Sequence, residues 1–177
     1  MISAGGSTEP TAPLTSIPIT RPWKSKCSGS ESEDCSSTLA RMTELSEEAR
    51  ELLQARNMAH VATLMADGSP QVSPVWISVE GDRLAIFSTQ ENLKIRNLRR
   101  DGRVGISVCD EHNPYRSVII RGRVVDELEG PEAIAIMDRM SNRYVGADFP
   151  VRSAIVSLIE PDRVRIQDLP IEHPTGG

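Results

Sequence analysis

Seven short apolar stretches, each closed by a turn signal, constrain this chain more than any other feature. Residues 58–65 and 71–79 flank Ala66-Asp67-Gly68-Ser69, and an Asp-Gly pair supplies the positive backbone angles that a tight hairpin turn requires. Residues 83–88 follow a second signal, Glu80-Gly81-Asp82. Residues 103–109 and 117–127 flank the loop Asp110-Glu111-His112-Asn113-Pro114, and residues 154–159 and 163–167 flank a turn at Pro161-Asp162. So many short antiparallel strands leave unpaired edges unless the sheet closes on itself, so the pattern predicts a mainly β fold, a barrel or sandwich with short flanking helices.

Three helices fit between the strands. Ser46 is placed to cap the first, with Glu47 and Glu48 in its first turn and Leu45, Ala49, Leu52 and Leu53 on one face. A second follows the strand at 83–88 and runs to about Arg100, where Gly102 after Asp101 is expected to take a left-handed cap. Pro131 suits the first position of a third helix through about Tyr144, with Ile134, Met137 and Met140 facing inward.

The second helix carries the chemistry. Ser88 and Thr89 end the preceding strand, and Lys94, Arg96, Arg99 and Arg100 follow within twelve residues. Two hydroxyls, the free N–H groups of a first helical turn and a cation one turn in can converge on one anion. The same run also reads as a solvated basic face.

Composition excludes several classes. A net charge of −5 over 177 residues speaks against nucleic acid, because a duplex binder shows basic charge across its whole domain, whereas here it is confined to one helix. No apolar run approaches membrane-spanning length. Cys27, Cys35 and Cys109 are an odd count without metal-type spacing, and His60, His112 and His173 are scattered, so reduced thiols, a cytoplasmic setting and no metal site are expected. Residues 1–41, rich in Ser, Thr, Pro and Gly and with cancelling charges, are expected to be a disordered leader, and residues 170–177 a tail. A sequence beginning at Met42 already looks complete. The leader therefore reads as dispensable or as an over-extended reading frame, with a transit segment as the alternative. The domain itself is expected over 43–169.

Three segments, HVATLMADGSPQVSPVWI at 60–77, LKIRNLRRDGRVGISV at 93–108 and NPYRSVIIRGRVVD at 113–126, stand in an order and spacing that resemble the pyridoxamine 5′-phosphate oxidase-like superfamily, and specifically its small F420-dependent branch. The resemblance runs from about residue 45 to 168. It implies a split β-barrel, a homodimer, and a cofactor in the groove between subunits: the deazaflavin coenzyme F420, or FMN in other branches. Lys94 matches the family's phosphate-contacting lysine. Asn97 matches the Asn of its Lys-x-x-Asn pattern, placed to touch the anion or to pin the helix. Many relatives carry Arg two positions before that lysine, and this chain has Asn92 there, so either Arg96 compensates, affinity falls or the cofactor differs. Ser88, Thr89, Lys94, Arg96, Asn97 and Arg100 are thus the residues implied at the anionic end, with Arg99 and Arg103 adding to the basic strip.

Ser73, Pro74, Val75 and Trp76 are implied near the ring system. Pro74, lacking a donor, marks an edge or bulge where free backbone groups can face a flat ring. Trp76 reads as an interface or core anchor ahead of a stacking partner, and with only six aromatic residues in the chain no aromatic enclosure is expected. His60 reads as a structural histidine, Cys109 as a buried thiol, and Tyr115 as a core cover or a residue reaching a partner's groove. Arg121 and Arg123 either add charge to the groove or merely flank a glycine bulge.

The function implied is hydride transfer between F420 and a small organic acceptor, with chemistry supplied by the cofactor and no general acid or base assigned. An FMN oxidoreductase of the same fold is the alternative, and a non-catalytic flavin, deazaflavin or tetrapyrrole carrier the third. No nucleophile-elbow motif supports hydrolysis.

Overall fold

The computed structural model describes residues 44–171, so the expected leader and tail, with Cys27, Cys35 and His173, lie outside the described residues. Helix α1 spans Glu47–Gln54, and the Ser46 hydroxyl accepts a hydrogen bond from the Ala49 N–H, as its position predicts. The hairpin follows as β1 (Ala59–Leu64) and β2 (Pro70–Val75). Gly68 takes φ +82° in its turn, and Asp67 accepts from both the N–H and the hydroxyl of Ser69. The expected strand 71–79 is broken: Trp76 and Ile77 separate β2 from a short β3, Ser78–Glu80. Next come β4 (Arg83–Ser88), α2 (Leu93–Arg100), β5 (Arg103–Cys109), β6 (Arg116–Leu128), α3 (Gly130–Val145) and β7 (Ile155–Asp168).

The break at Trp76 explains the architecture. Hydrogen-bonded neighbours run β2-β1-β5-β6-β7-β4-β3, every pair antiparallel, so β2 and β3 are the two outermost strands of one sheet. They are also consecutive in the chain. Three peptide steps from Val75 to Ser78 reach at most about 11 Å, so the sheet must roll until its edges meet. The roll leaves a split between β2 and β3 rather than a continuous ladder, as the split-barrel expectation requires. Pro74 lies on edge strand β2 opposite His60, where its missing N–H disturbs no inner ladder.

The last two expected strands are one. β7 passes through Pro161 without turning, and Gly122 of β6 sits opposite that proline at a register shift. A Cβ at Gly122 would lie 2.4 Å from the Glu160 carbonyl oxygen. The missing proline donor is thus absorbed by a bulge over a glycine, which bends the ladder instead of ending it. Gly102 also departs from expectation. Helix α2 ends at Asp101 in extended geometry, and the glycines with positive φ are Gly68, Gly81, Gly130 and Gly146. Gly102 is instead pressed against β6: its carbonyl accepts from the Val124 N–H at 2.8 Å, and a Cβ there would come within 3.3 Å of the Val124 oxygen.

Strand parity divides the core in two. On β4, Leu84 and Ile86 join the barrel interior with Val61, Ile106, Val118 and Ile159, and α1 lays Ala49, Leu52 and Leu53 into the same cluster. Ala85 and Phe87 face the other way, beneath α3. There Ala133, Ile136, Met137 and Met140 form the buried stripe, while Ile134, expected to face inward, is only half-buried. Burying each large aliphatic side chain contributes about 1.5–3 kcal/mol. Parity also corrects two single residues. Ala59 and Val61 take the interior on β1, and Val104, Ile106 and Val108 on β5, so His60 and Cys109 point outward and are exposed rather than structural and buried. No described helix is long and apolar enough to cross a membrane.

Candidate functional site

The residues between Leu93 and Arg103 carry five cations, and most of them are spent. Arg99 meets Glu91 at 2.7 Å, Glu127 at 2.6 Å and Glu129 at 3.6 Å, and the Glu127 carboxylate raises its pKa. Arg103 pairs with Asp101 at 2.6 Å, which holds the Asp101 carboxyl down at about 2. Arg100 donates to the Leu64 carbonyl and to Asn97 Oδ1. Arg96 is exposed and 3.9 Å from Glu91. The basic strip expected from sequence is therefore largely neutralised within the fold.

Lys94 is the exception. It is 8% exposed, has no hydrogen-bond or ion-pair partner among the described residues, and burial pushes its pKa below the ordinary value. A desolvated ammonium without a partner is unfavourable unless something else supplies the counter-charge. It stands in the wall of a cavity of about 260 Å³. Pro74 and Val75 of the β2 edge, with Trp76 just after it, form one side; Phe87, Phe149 and Met58 complete the lining. Four residues expected at the site are thus brought together from two distant segments.

The cavity's aromatic character departs from expectation. Trp76 stacks on Tyr144 with centroids 5.0 Å apart and planes 5° from parallel, and meets Phe149 edge-on at 6.0 Å. Phe87 and Phe149 lie 5.4 Å apart, nearly perpendicular. Four of the chain's six aromatic residues gather here. Tyr144 donates its hydroxyl to the Asn57 carbonyl at 2.7 Å, so Trp76 is anchored on one face and borders the cavity as well. Phe87 could have been found from strand parity, since it alternates with Ile86; Phe149, in the loop after α3, carries no periodic signal.

The other expected residues lie elsewhere. The Ser88 hydroxyl donates to the Gln90 carbonyl and accepts from Asn92 Nδ2, while the Asn92 side-chain oxygen accepts from the Ile95 N–H. Asn92, standing where many relatives have arginine, is thus the cap of α2, and with Ser88 it latches the loop. Thr89 is half-buried beside it. Asn97 is fully buried and donates to Thr63 Oγ1 at 3.0 Å, pinning α2 to β1. Ser73 does not line the cavity: its hydroxyl is buried without a hydrogen-bond partner, one residue before Pro74. An unpaired ammonium beside aromatic faces suits a flat anionic ligand.

A larger cavity of about 680 Å³ lies between α1 and the β5–β6 loop. Its cations are occupied: Arg56 donates to the Tyr144 carbonyl, and Arg116 pairs with Glu48, Glu51 and Asp110. Among the described residues no cluster of His, Cys, Asp or Glu could hold a metal ion.

Comparison with known proteins decides the family. The pyridoxamine 5′-phosphate oxidase model matches residues 45–168. The chain belongs to this family. Among solved structures, an F420 reductase is 29% identical with a TM-score of 0.59, over 66% of this chain and 94% of that one. A conserved hypothetical protein from Mycobacterium tuberculosis is 24% identical with a TM-score of 0.62, over 77% and 95%. A pyridoxamine 5′-phosphate oxidase-type protein from Lactobacillus delbrueckii, 21% identical with a TM-score of 0.55 over 69% and 93%, shares the fold. No functionally curated protein matches the chain. Membership brings an oxidoreductase fold of the flavin-binding type.

Proposed function

We propose that this pyridoxamine 5′-phosphate oxidase-family protein is an F420-dependent oxidoreductase that acts on a small organic acceptor. The observation that carries the reading is Lys94, buried and uncompensated in the wall of an aromatic cavity. Its likeness to the F420 reductase, which extends over nearly all of that chain, supports the deazaflavin over FMN.

In this reading Lys94 binds an anionic group. Pro74, Val75 and Trp76 form the wall against which the ring is oriented. Phe87 and Phe149 exclude water, which strengthens the Lys94 charge in a low-dielectric setting. When bound, F420 supplies hydride-transfer chemistry. The chain positions and shields; orientation alone can account for a large part of a rate enhancement. Thr89 and Arg96, exposed or half-buried near the start of α2, are placed to meet an extended anionic ligand. A second copy of the chain is proposed to close the open side of the cavity, giving a homodimer.

The test is a fluorescence titration with F420 and, separately, FMN, followed by assay of hydride transfer to enones and quinones. Tighter binding of F420 with turnover supports the assignment. Flavin absorbance in the isolated protein and preference for FMN would move it to the flavin branch, and binding without transfer would make it a carrier.

A further inference from the structure

The outer face of β5, β6 and β7 carries a second concentration of positive charge, and this one is not neutralised. Cross-strand register sets Arg121 directly opposite Arg163, with Arg165 opposite Ile119 two residues along. All three arginines are exposed and point away from the core, since Ile120 between them is buried. None makes a hydrogen bond or ion pair among the described residues. Like charges placed directly opposite on adjacent strands repel. The contrast with α2 is sharp: there each guanidinium next to another has a carboxylate or carbonyl assigned to it, in a chain whose net charge of −5 leaves acid to spare.

Beside Arg121 the surface is hollowed. A cavity of about 300 Å³ is lined by Gly105, whose side-chain space is open, and by Gly122, and is flanked by Arg103 and Arg121. Asp162 stands at its rim but is engaged with Arg123 at 3.1 Å, and Arg103 is engaged with Asp101. The uncommitted charge facing this hollow therefore comes from Arg121, with Arg163 next to it. The hollow shares no lining residue with the Lys94 cavity.

We propose that Arg121, Arg163 and Arg165 form a second anion site, for a small multivalent oxyanion bearing phosphoryl or carboxylate groups. Guanidinium forks bind such groups in pairs, and a ligand with two or more charges relieves the Arg121–Arg163 repulsion as it binds. Gly105, without a side chain, lets it approach the backbone. A second copy of the chain is the poorer occupant, because this patch laid on itself about a two-fold axis sets guanidinium against guanidinium. The proposal stands independently of the cofactor reading.

The experiment is calorimetric titration of the full chain with tripolyphosphate, and in a parallel arm with citrate, at low and at raised salt. One saturable site per chain is expected, weakening as salt rises. Arg163→Ala should weaken it at least about tenfold, and Arg121→Ala with Arg163→Ala should abolish it, while Lys94→Ala and Arg99→Ala leave it within about twofold. Response to tripolyphosphate alone identifies a phosphoryl ligand; equal response to citrate identifies a charge-selected one. Arg163→Ala should also melt no lower than the parent, since it removes a repulsion. Absence of saturable binding, unchanged affinity in the double variant, loss through Lys94→Ala instead, or a lowered melting temperature for Arg163→Ala would each overturn the site.

Discussion

Helix α2 and the outer face of β6 and β7 hold comparable densities of arginine, yet they are built to opposite ends. On α2 the arginines are fastened to Glu91, Glu127 and the Leu64 carbonyl; on the sheet, Arg121, Arg163 and Arg165 have no such partner among the described residues. Lys94 resembles the second group although it sits in the first. Density of charge along a sequence thus says little about which charge is available. What matters is whether the fold delivers a counter-ion, and β6 delivers Glu127 to α2 while leaving its own Arg121 bare.

The largest effect is expected where the bare face depends on backbone geometry. Gly122→Ala forces a Cβ to within 2.4 Å of a backbone oxygen and spreads the ladder that sets Arg121 beside Arg163. Overpacking of this kind costs about 3 kcal/mol, so the melting temperature should fall by about 10 °C, or the variant should fail to accumulate. Gly105→Ala, whose Cβ would meet only the Ala62 Cβ at 3.8 Å, should be tolerated and serves as the matched control. Equal melting of the two would remove the bulge from the account.

Asn97→Ala should come next, because it strands the buried Thr63 and Arg100 contacts that tie α2 to β1. A loss of about 1–3 kcal/mol is expected in denaturant titration, and a neutral result would mean that the helix is held by Ile95 and Leu98 alone. Arg99→Ala, by contrast, breaks a half-exposed network and should alter neither cofactor affinity nor the melting temperature by more than about 2 °C. A marked loss of affinity would show that Arg99 can leave its carboxylates for a ligand.

The smallest effect is one of pH. Burial lowers the Lys94 pKa below 10.5, so between its folded value and 10.5 the unfolded chain binds more protons and stability rises with pH. Lys94→Met removes that penalty. The variant should be more stable than the parent at neutral pH, and its advantage should shrink as pH climbs toward 10.5. A constant difference across that range would mean that Lys94 is solvated.

Much of this was legible in the sequence. The Asp-Gly turn, the Ser46 cap and the strand at 83–88 follow from local chemistry, and the three spaced motifs marked the family. Elements decided by distant partners were not legible. Pro161 reads as a turn until Gly122 is found across the ladder, and the run from Leu93 to Arg103 reads as an open anion strip until Glu127 arrives from β6. Resemblance implies Lys94 at the anionic end and Pro74, Val75 and Trp76 near the ring, and the fold brings all four to one cavity, whereas Phe149 comes from a loop with no periodicity. The aromatic cluster needs four separate segments and leaves no trace in any one of them.

The central claim is that one buried, unpartnered ammonium, and not the paired arginines around it, captures the anionic cofactor. Titrating F420 into the parent, Lys94→Ala and Arg99→Ala at constant ionic strength tests it most directly. The account predicts that Lys94→Ala weakens binding by about 10- to 100-fold, the worth of a charge-assisted hydrogen bond, with Arg99→Ala matching the parent. Affinity unchanged in Lys94→Ala, or lost in Arg99→Ala instead, would contradict it.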